Sequence, residues 1–397
     1  MLTISLLIAL ILFLITGAVA RGYHEKLHAL AGQWFQAAQN DLNAGKTAAA
    51  LTDLRNALAY EPTDPRIQFR LAQALIADGR DDEARSYLEG LLAHSPSDAE
   101  VNLELARIAA KSGNERDALR YYHGAIYGVW PDHPRQDRLN TRLELCRFLL
   151  ARNDDAGADG ELIALQSDLP GKNATPLHEQ TAELFLKAGD ARRALAEFRV
   201  VLNSPHAPAA AWKGAGKAAF TLGYFAAAEH YLQIATRLHQ SNPEIAAELQ
   251  SSRLVQQWDP YLRGLTAPEK WARTRHVFLA ATARLKTCAK SSGIQLSAPR
   301  RPVQGKTKAS PNAEAASASN GEANTANPLD LVALYQKART LQPQLADWNL
   351  RGHPETIDAA MNLVFAIESA TAQTCGQPAG LDAALLVLRK TMQSRER

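Results

Sequence analysis

Residues 65–98 read PRIQFRLAQALIADGRDDEARSYLEGLLAHSPSD: two stretches of helical apolar spacing parted by Gly79 and closed by Pro96. The unit recurs along the chain. Gly45, Gly79 and Gly113 lie 34 residues apart, and so do Gly189 and Gly223. Ala50, Ala84 and Ala118, then Ala194 and Ala228, follow five residues behind those glycines. A fixed period of this length predicts a stack of helix–turn–helix units rather than one globular core.

Repeats set at 31–64, 65–98, 99–132, 139–172, 175–208 and 209–242 place a small residue on the first helix each time: Ala38, Ala72, Ala106, Cys146, Ala182 and Gly216. The second helix carries a large apolar residue at Leu54, Leu88, Tyr122, Leu162, Phe198 and Leu232. Three residues later come Ala57, Leu91, Ala125, Leu165, Val201 and Ala235. Trp34 and Trp212 sit near the start of a first helix, and Pro62, Pro96 and Pro170 close second helices. Each position has a mechanical role: small residues let paired helices approach, glycine relieves a left-handed turn, and proline ends a helix. Asn153 replaces the turn glycine, Pro131 and Pro243 are displaced, and His206 stands where proline is expected.

This pattern resembles the tetratricopeptide repeat over residues 31–242, about half the chain. The resemblance implies an all-α solenoid of about six repeats whose first helices line a concave groove for protein ligands. With the ends of the chain included, the arrangement is similar to membrane-anchored tetratricopeptide proteins of bacteria.

Composition agrees with globular material. The 397 residues carry 44 Lys and Arg against 41 Asp and Glu, 46% hydrophobic residues and three cysteines. These values exclude a collagen, a disulfide-stapled miniprotein, a multi-span transporter and a wholly disordered chain. A net charge of +3 gives no overall mandate for nucleic acid, and none is expected as a partner. Charge is uneven, however: residues 253–308 hold twelve basic residues against Asp259 and Glu269, so that stretch alone is +10.

Leu2 to Ala20 is free of charge, and as a helix it would rise ~28 Å, close to a hydrocarbon core. It predicts a transmembrane anchor at 1–22, and hence a single-pass protein of the cell membrane with the side of its soluble part open. Ala18-Val19-Ala20 also fits the cleavage site of a signal peptide, while Arg21 and Lys26 just beyond favour cytoplasmic retention. After the repeats, helices are expected at Glu244 to Gln257 and Ala267 to Lys290, capping the array over 243–290 with the first facing solvent. Residues 291–327 are rich in Ala, Ser, Asn, Pro and Gly and predict a disordered linker. Asn327-Pro328 and His353-Pro354 open further helices, and Leu381 to Met392 closes a small helical module at 328–397.

Several motifs carry possible chemistry. His24-Glu25-Lys26-Leu27-His28 spells the H-E-x-x-H signature of zinc peptidases, in which the glutamate activates water. It lacks a following third ligand, so a solvated helix is the competing reading, and no cofactor or metal is expected. Gly45-Lys46-Thr47 resembles the end of a phosphate loop, but Asn40 stands where the earlier glycine belongs. Cys146 fills a small core position, whereas Cys288 and Cys375 flank the linker as either a disulfide or two free thiols. Tyr121, Tyr127 and Trp130 form either an aromatic docking patch or packing against the insertion at 133–138.

The fifth and ninth positions of the first helices face the groove in this family. Here they are Phe35 and Gln39, Phe69 and Gln73, Leu103 and Arg107, Leu143 and Arg147, Glu179 and Glu183, and Lys213 and Lys217. Apolar anchors beside arginine suit a peptide bearing hydrophobic side chains and carboxylates, or this chain's own tail at 328–390. The expectation is a membrane-tethered protein-binding scaffold or assembly factor that catalyses nothing. The alternatives are a zinc metallopeptidase at His24, Glu25 and His28, or capture of an anionic polymer or lipid headgroups by 253–308.

Overall fold

The computed structural model describes residues 2–171, 175–238, 242–296, 328–345 and 354–395. Among them are 17 helices and no strand beyond an isolated parallel bridge between Asp98 and Val129. The chain divides into two compact units, Met1–Gly171 and Lys172–Arg397.

The first unit holds α1 (Leu2–Asn43), α2 (Thr47–Tyr60), α3 (Pro65–Ala77), α4 (Asp81–His94), α5 (Ala99–Lys111), α6 (Glu115–Tyr127), α7 (Pro134–Ala151) and α8 (Asp155–Asp168). They pack as the pairs α1–α2, α3–α4, α5–α6 and α7–α8. Local sequence explains their ends. The Asp64 and Asp98 carboxylates accept from the amides of Arg66 and Val101 at the starts of α3 and α5. Asn114 and Asp154 do the same for α6 and α8.

Between the helices of each pair the backbone enters the left-handed region. Gly45, Gly79, Gly113, Gly189 and Gly223 have φ between 72° and 86°, and Asn153 takes the same turn at 61°, alone among the described non-glycine residues. The small positions Ala38, Ala72, Ala106, Cys146 and Ala182 are fully buried, as are Leu54, Leu88, Leu162, Phe198 and Leu232 on the second helices. At Gly216 an added Cβ would lie 2.4 Å from Leu232, so the sixth pair tolerates no side chain there.

The second unit contains α9 (Thr175–Lys187), α10 (Ala191–Leu202), α11 (Ala209–Thr221), α12 (Phe225–Arg237), α13 (Pro243–Trp258), α14 (Ala267–Ser291), α15 (Pro328–Leu341), α16 (Pro354–Cys375) and α17 (Gly380–Arg395). Pairs α9–α10 and α11–α12 continue the repeat geometry. After them the pattern changes. α13 and α14 barely touch; α17 instead packs on α13, and α16 on α14. One core joins Phe225, Val255, Phe278, Leu285, Met361, Ile367 and Leu388. So α13 carries another helix on one face rather than standing as a solvent-facing cap. Of the linker expected at 291–327, Ser291 instead ends α14, and the part from 297 to 327 lies outside the described residues.

The membrane expectation needs correction. Among the described residues no helix is long and apolar enough to cross a membrane. In α1, Arg21 begins a polar stretch, and the same helix continues without a break into the first repeat.

Candidate functional site

In the first unit the fifth positions make an apolar row. Phe35 on α1, Phe69 on α3 and Leu103 on α5 are half-buried, each packed from below on the unit's core and open above. Leu143, expected to continue the row, is buried at 2% exposure and offers a ligand little surface. At the start of the row a cavity of about 180 Å³ is lined by Ala31, Gly32, Phe35, Ile67, His28 and Glu61, with Asp64 and Arg66 at its edge. Arg66 donates to both carboxylate oxygens of Asp64, which holds that carboxyl below its usual range.

The ninth positions behave differently from expectation. Gln73 donates to Glu104 of the next repeat at 3.3 Å. Arg107 forks onto Glu144 of the repeat after, with Nε and Nη2 each 2.9 Å from a carboxylate oxygen. Glu104 approaches the same guanidinium at 3.4 Å, and the Tyr122 hydroxyl donates to Glu144 at 3.0 Å. The hydrogen bond from Arg107 to Glu144 raises the arginine's pKa, and burial, reinforced by Glu144, raises that of Tyr122. The guanidinium fork read as a grip for ligand carboxylates is thus spent on joining repeats. Gln39 is half-buried on α1, and Arg147 is exposed on α7. The rim near α5 is acidic: burial, then Asp98, Asp132 and Asp137, raises the Glu100 carboxyl above its normal range.

The second unit's strip is charged. Lys213 and Lys217 are half-buried on α11, which touches both α9 and α13. Lys217 Nζ lies 2.7 Å from Glu244 on α13. Beside it, burial pushes the Glu248 carboxyl up to about 7 against the pull of Lys217. On α9, Glu179 is raised by burial and by Glu183.

The remaining sequence candidates scatter. His24, Glu25 and His28 lie on exposed turns of α1, with His28 against Glu61; among the described residues no three His, Cys, Asp or Glu side chains are grouped to hold a metal. Tyr121 is buried and Trp130 donates to the Ala125 carbonyl at 2.9 Å, which leaves Tyr127 as the exposed member of the aromatic trio. Several bases of 253–296 are already engaged. Arg253 meets Glu229, Arg273 donates to the carbonyls of Gln256 and Asp259, and Arg284 meets Glu368 and Asp382. Cys288 and Cys375 are bonded, with Cα atoms 5.8 Å apart.

Residues 41–93 and 82–134 each match the tetratricopeptide repeat family, so the first unit carries such repeats. No curated protein matches the chain closely enough to count as a relative. Among solved structures, PilW, described as a widely conserved type IV pilus biogenesis factor, is 18% identical and covers 56% of this chain and 97% of its own, with a TM-score of 0.39. Pseudomonas aeruginosa pilF is 17% identical over 57% of this chain and 98% of its own, with a TM-score of 0.41. A tetratricopeptide repeat protein from Parabacteroides merdae is 16% identical over 57% and 99%, with a TM-score of 0.27. Likeness at that level carries no conclusion about what this chain does.

Proposed function

We propose that this protein is a binding scaffold that takes up a peptide or protein segment along the first unit, with no catalytic step. The observation that carries the reading is the row of Phe35, Phe69 and Leu103, half-open apolar side chains on successive first helices. Adjacent helices pack ~8–10 Å apart, so such a row matches apolar side chains about three residues apart in an extended ligand or two turns apart in a helical one. The acidic preference first read from Arg107 falls away, since that guanidinium already holds Glu144. With Glu100 on α5 beside the row and Arg107 held by Glu144 of α7, selection in this unit rests on apolar anchors.

A displayed random-peptide library panned on the full chain tests this. Enriched peptides should carry spaced apolar residues and lose at least tenfold in affinity for a Phe35→Gln, Phe69→Gln variant whose thermal melt shows one intact cooperative transition. Enrichment that ignores both substitutions would place recognition elsewhere.

A further inference from the structure

We propose that the Cys288–Cys375 bond is a maturation step, in which a disulfide-donating oxidant joins α14 to α16 and seats α15–α17 as a covalently held cap on the second unit's helix stack. The bond spans 87 residues of sequence and ties two helices that already share a face. Four residues before Cys288, Arg284 reaches across the same face: it donates to the Thr371 hydroxyl at 2.9 Å, to Asp382 at 3.0 Å and to the Gly376 carbonyl at 3.3 Å. Thr371 in turn lies four residues before Cys375, so bridge and arginine are successive rungs between α14 and α16. Tyr261, in the connection between α13 and α14, adds a hydrogen bond of 3.0 Å to Asp358 on α16. The covered surface is α13, on which α17 rests.

The reaction balances simply. Each cysteine gives up its thiol proton, the two sulfurs bond, and the oxidant's disulfide takes up both electrons and both protons as a dithiol. Cys288 sits in the last turn of α14 and is 4% exposed, whereas Cys375 ends α16 and is exposed, so an oxidant reaches the pair from the Cys375 side. The remaining cysteine is kept out of the chemistry: Cys146 is fully buried, and burial pushes its thiol up to about 12.

The test starts from the full chain, reduced and then held in a glutathione disulfide buffer. Alkylation in denaturant followed by peptide mapping should find a single free thiol, Cys146, and a peptide linked through Cys288 and Cys375. Three alkylated thiols, or a link through Cys146, would overturn the proposal. Amide exchange then reads the cap: in a Cys288→Ser, Cys375→Ser variant, α13, α16 and α17 should exchange at least tenfold faster while α1–α8 stay unchanged. Should that variant fail to fold, the same comparison is made on wild type before and after phosphine reduction. Unaltered protection of α13, α16 and α17 in the bond-free chain would contradict the capping role.

Discussion

Arg107 and Glu144 face each other as a two-point fork between successive repeats, each contact 2.9 Å. Gln73 and Glu104 occupy the equivalent places one repeat earlier, 31 residues apart, and the six-residue insertion at 133–138 lengthens the later separation to 37. The ninth position of one repeat thus joins the sixth of the next. A double-mutant cycle on Arg107→Ala and Glu144→Ala should give a coupling of ~0.5–1 kcal/mol in denaturant melts, modest because the pair is partly exposed. Strict additivity would remove the lock, and Arg107 would again be open as a ligand group.

The close packing of successive helices predicts a cost for any side chain added at the closest approach. Gly214 on α11 has room for none: a Cβ would lie 2.1 Å from the Phe198 ring. Gly214→Ala should therefore destabilise the second unit by ~1–3 kcal/mol, and Ala118→Leu should do the same in the first. An unchanged melting temperature for both would mean that the repeat frame is misplaced.

Asn153 holds a left-handed turn at φ 61°. Asn153→Gly should be neutral or slightly stabilising, whereas Asn153→Val should cost ~1–2 kcal/mol, since a β-branched residue is strained there. Equal melts for the two variants would show that the turn relaxes.

Two acids in the second unit predict how stability varies with pH. Burial raises Glu248 to about 7, and raises Glu368, itself fully buried, to about 7 with a further push from Asp382. Each binds its proton more tightly when folded, so its stabilisation is complete below the ordinary glutamate value of 4.5 and is lost as pH climbs through about 7. Asp64 and Asp190 are shifted down and act in the opposite sense only below 3.8. The second unit should thus lose stability across that upper window and level off above it, and Glu248→Gln should flatten the slope. A melting temperature that rises with pH there would refute the assignment.

Much of the fold was legible because a repeat states its rule many times. Gly79, Ala84 and Leu88 mean little alone, but the same spacing in five further units leaves one arrangement, and the left-handed turn at Asn153 follows from its place in the series. Two helix starts after the repeats were legible from Pro328 and Pro354, where α15 and α16 begin. What escaped were pairings that depend on distance in sequence. Nothing local tells α17 to lie on α13, or directs Arg284 to Thr371 and Asp382. The groove escaped in part for another reason: position within a repeat shows which way Arg107 points, but not that Glu144 reaches it first.

Photo-crosslinking from single positions tests the binding account most directly. Benzoylphenylalanine is placed in turn at Phe69 and Leu103, in the apolar row, and at Ile163, an exposed position on α8. Irradiated with a peptide selected on the wild-type chain, the Phe69 and Leu103 proteins should form covalent adducts and the Ile163 protein none. Adducts from Ile163 with none from Phe69 or Leu103 would contradict binding along the first helices.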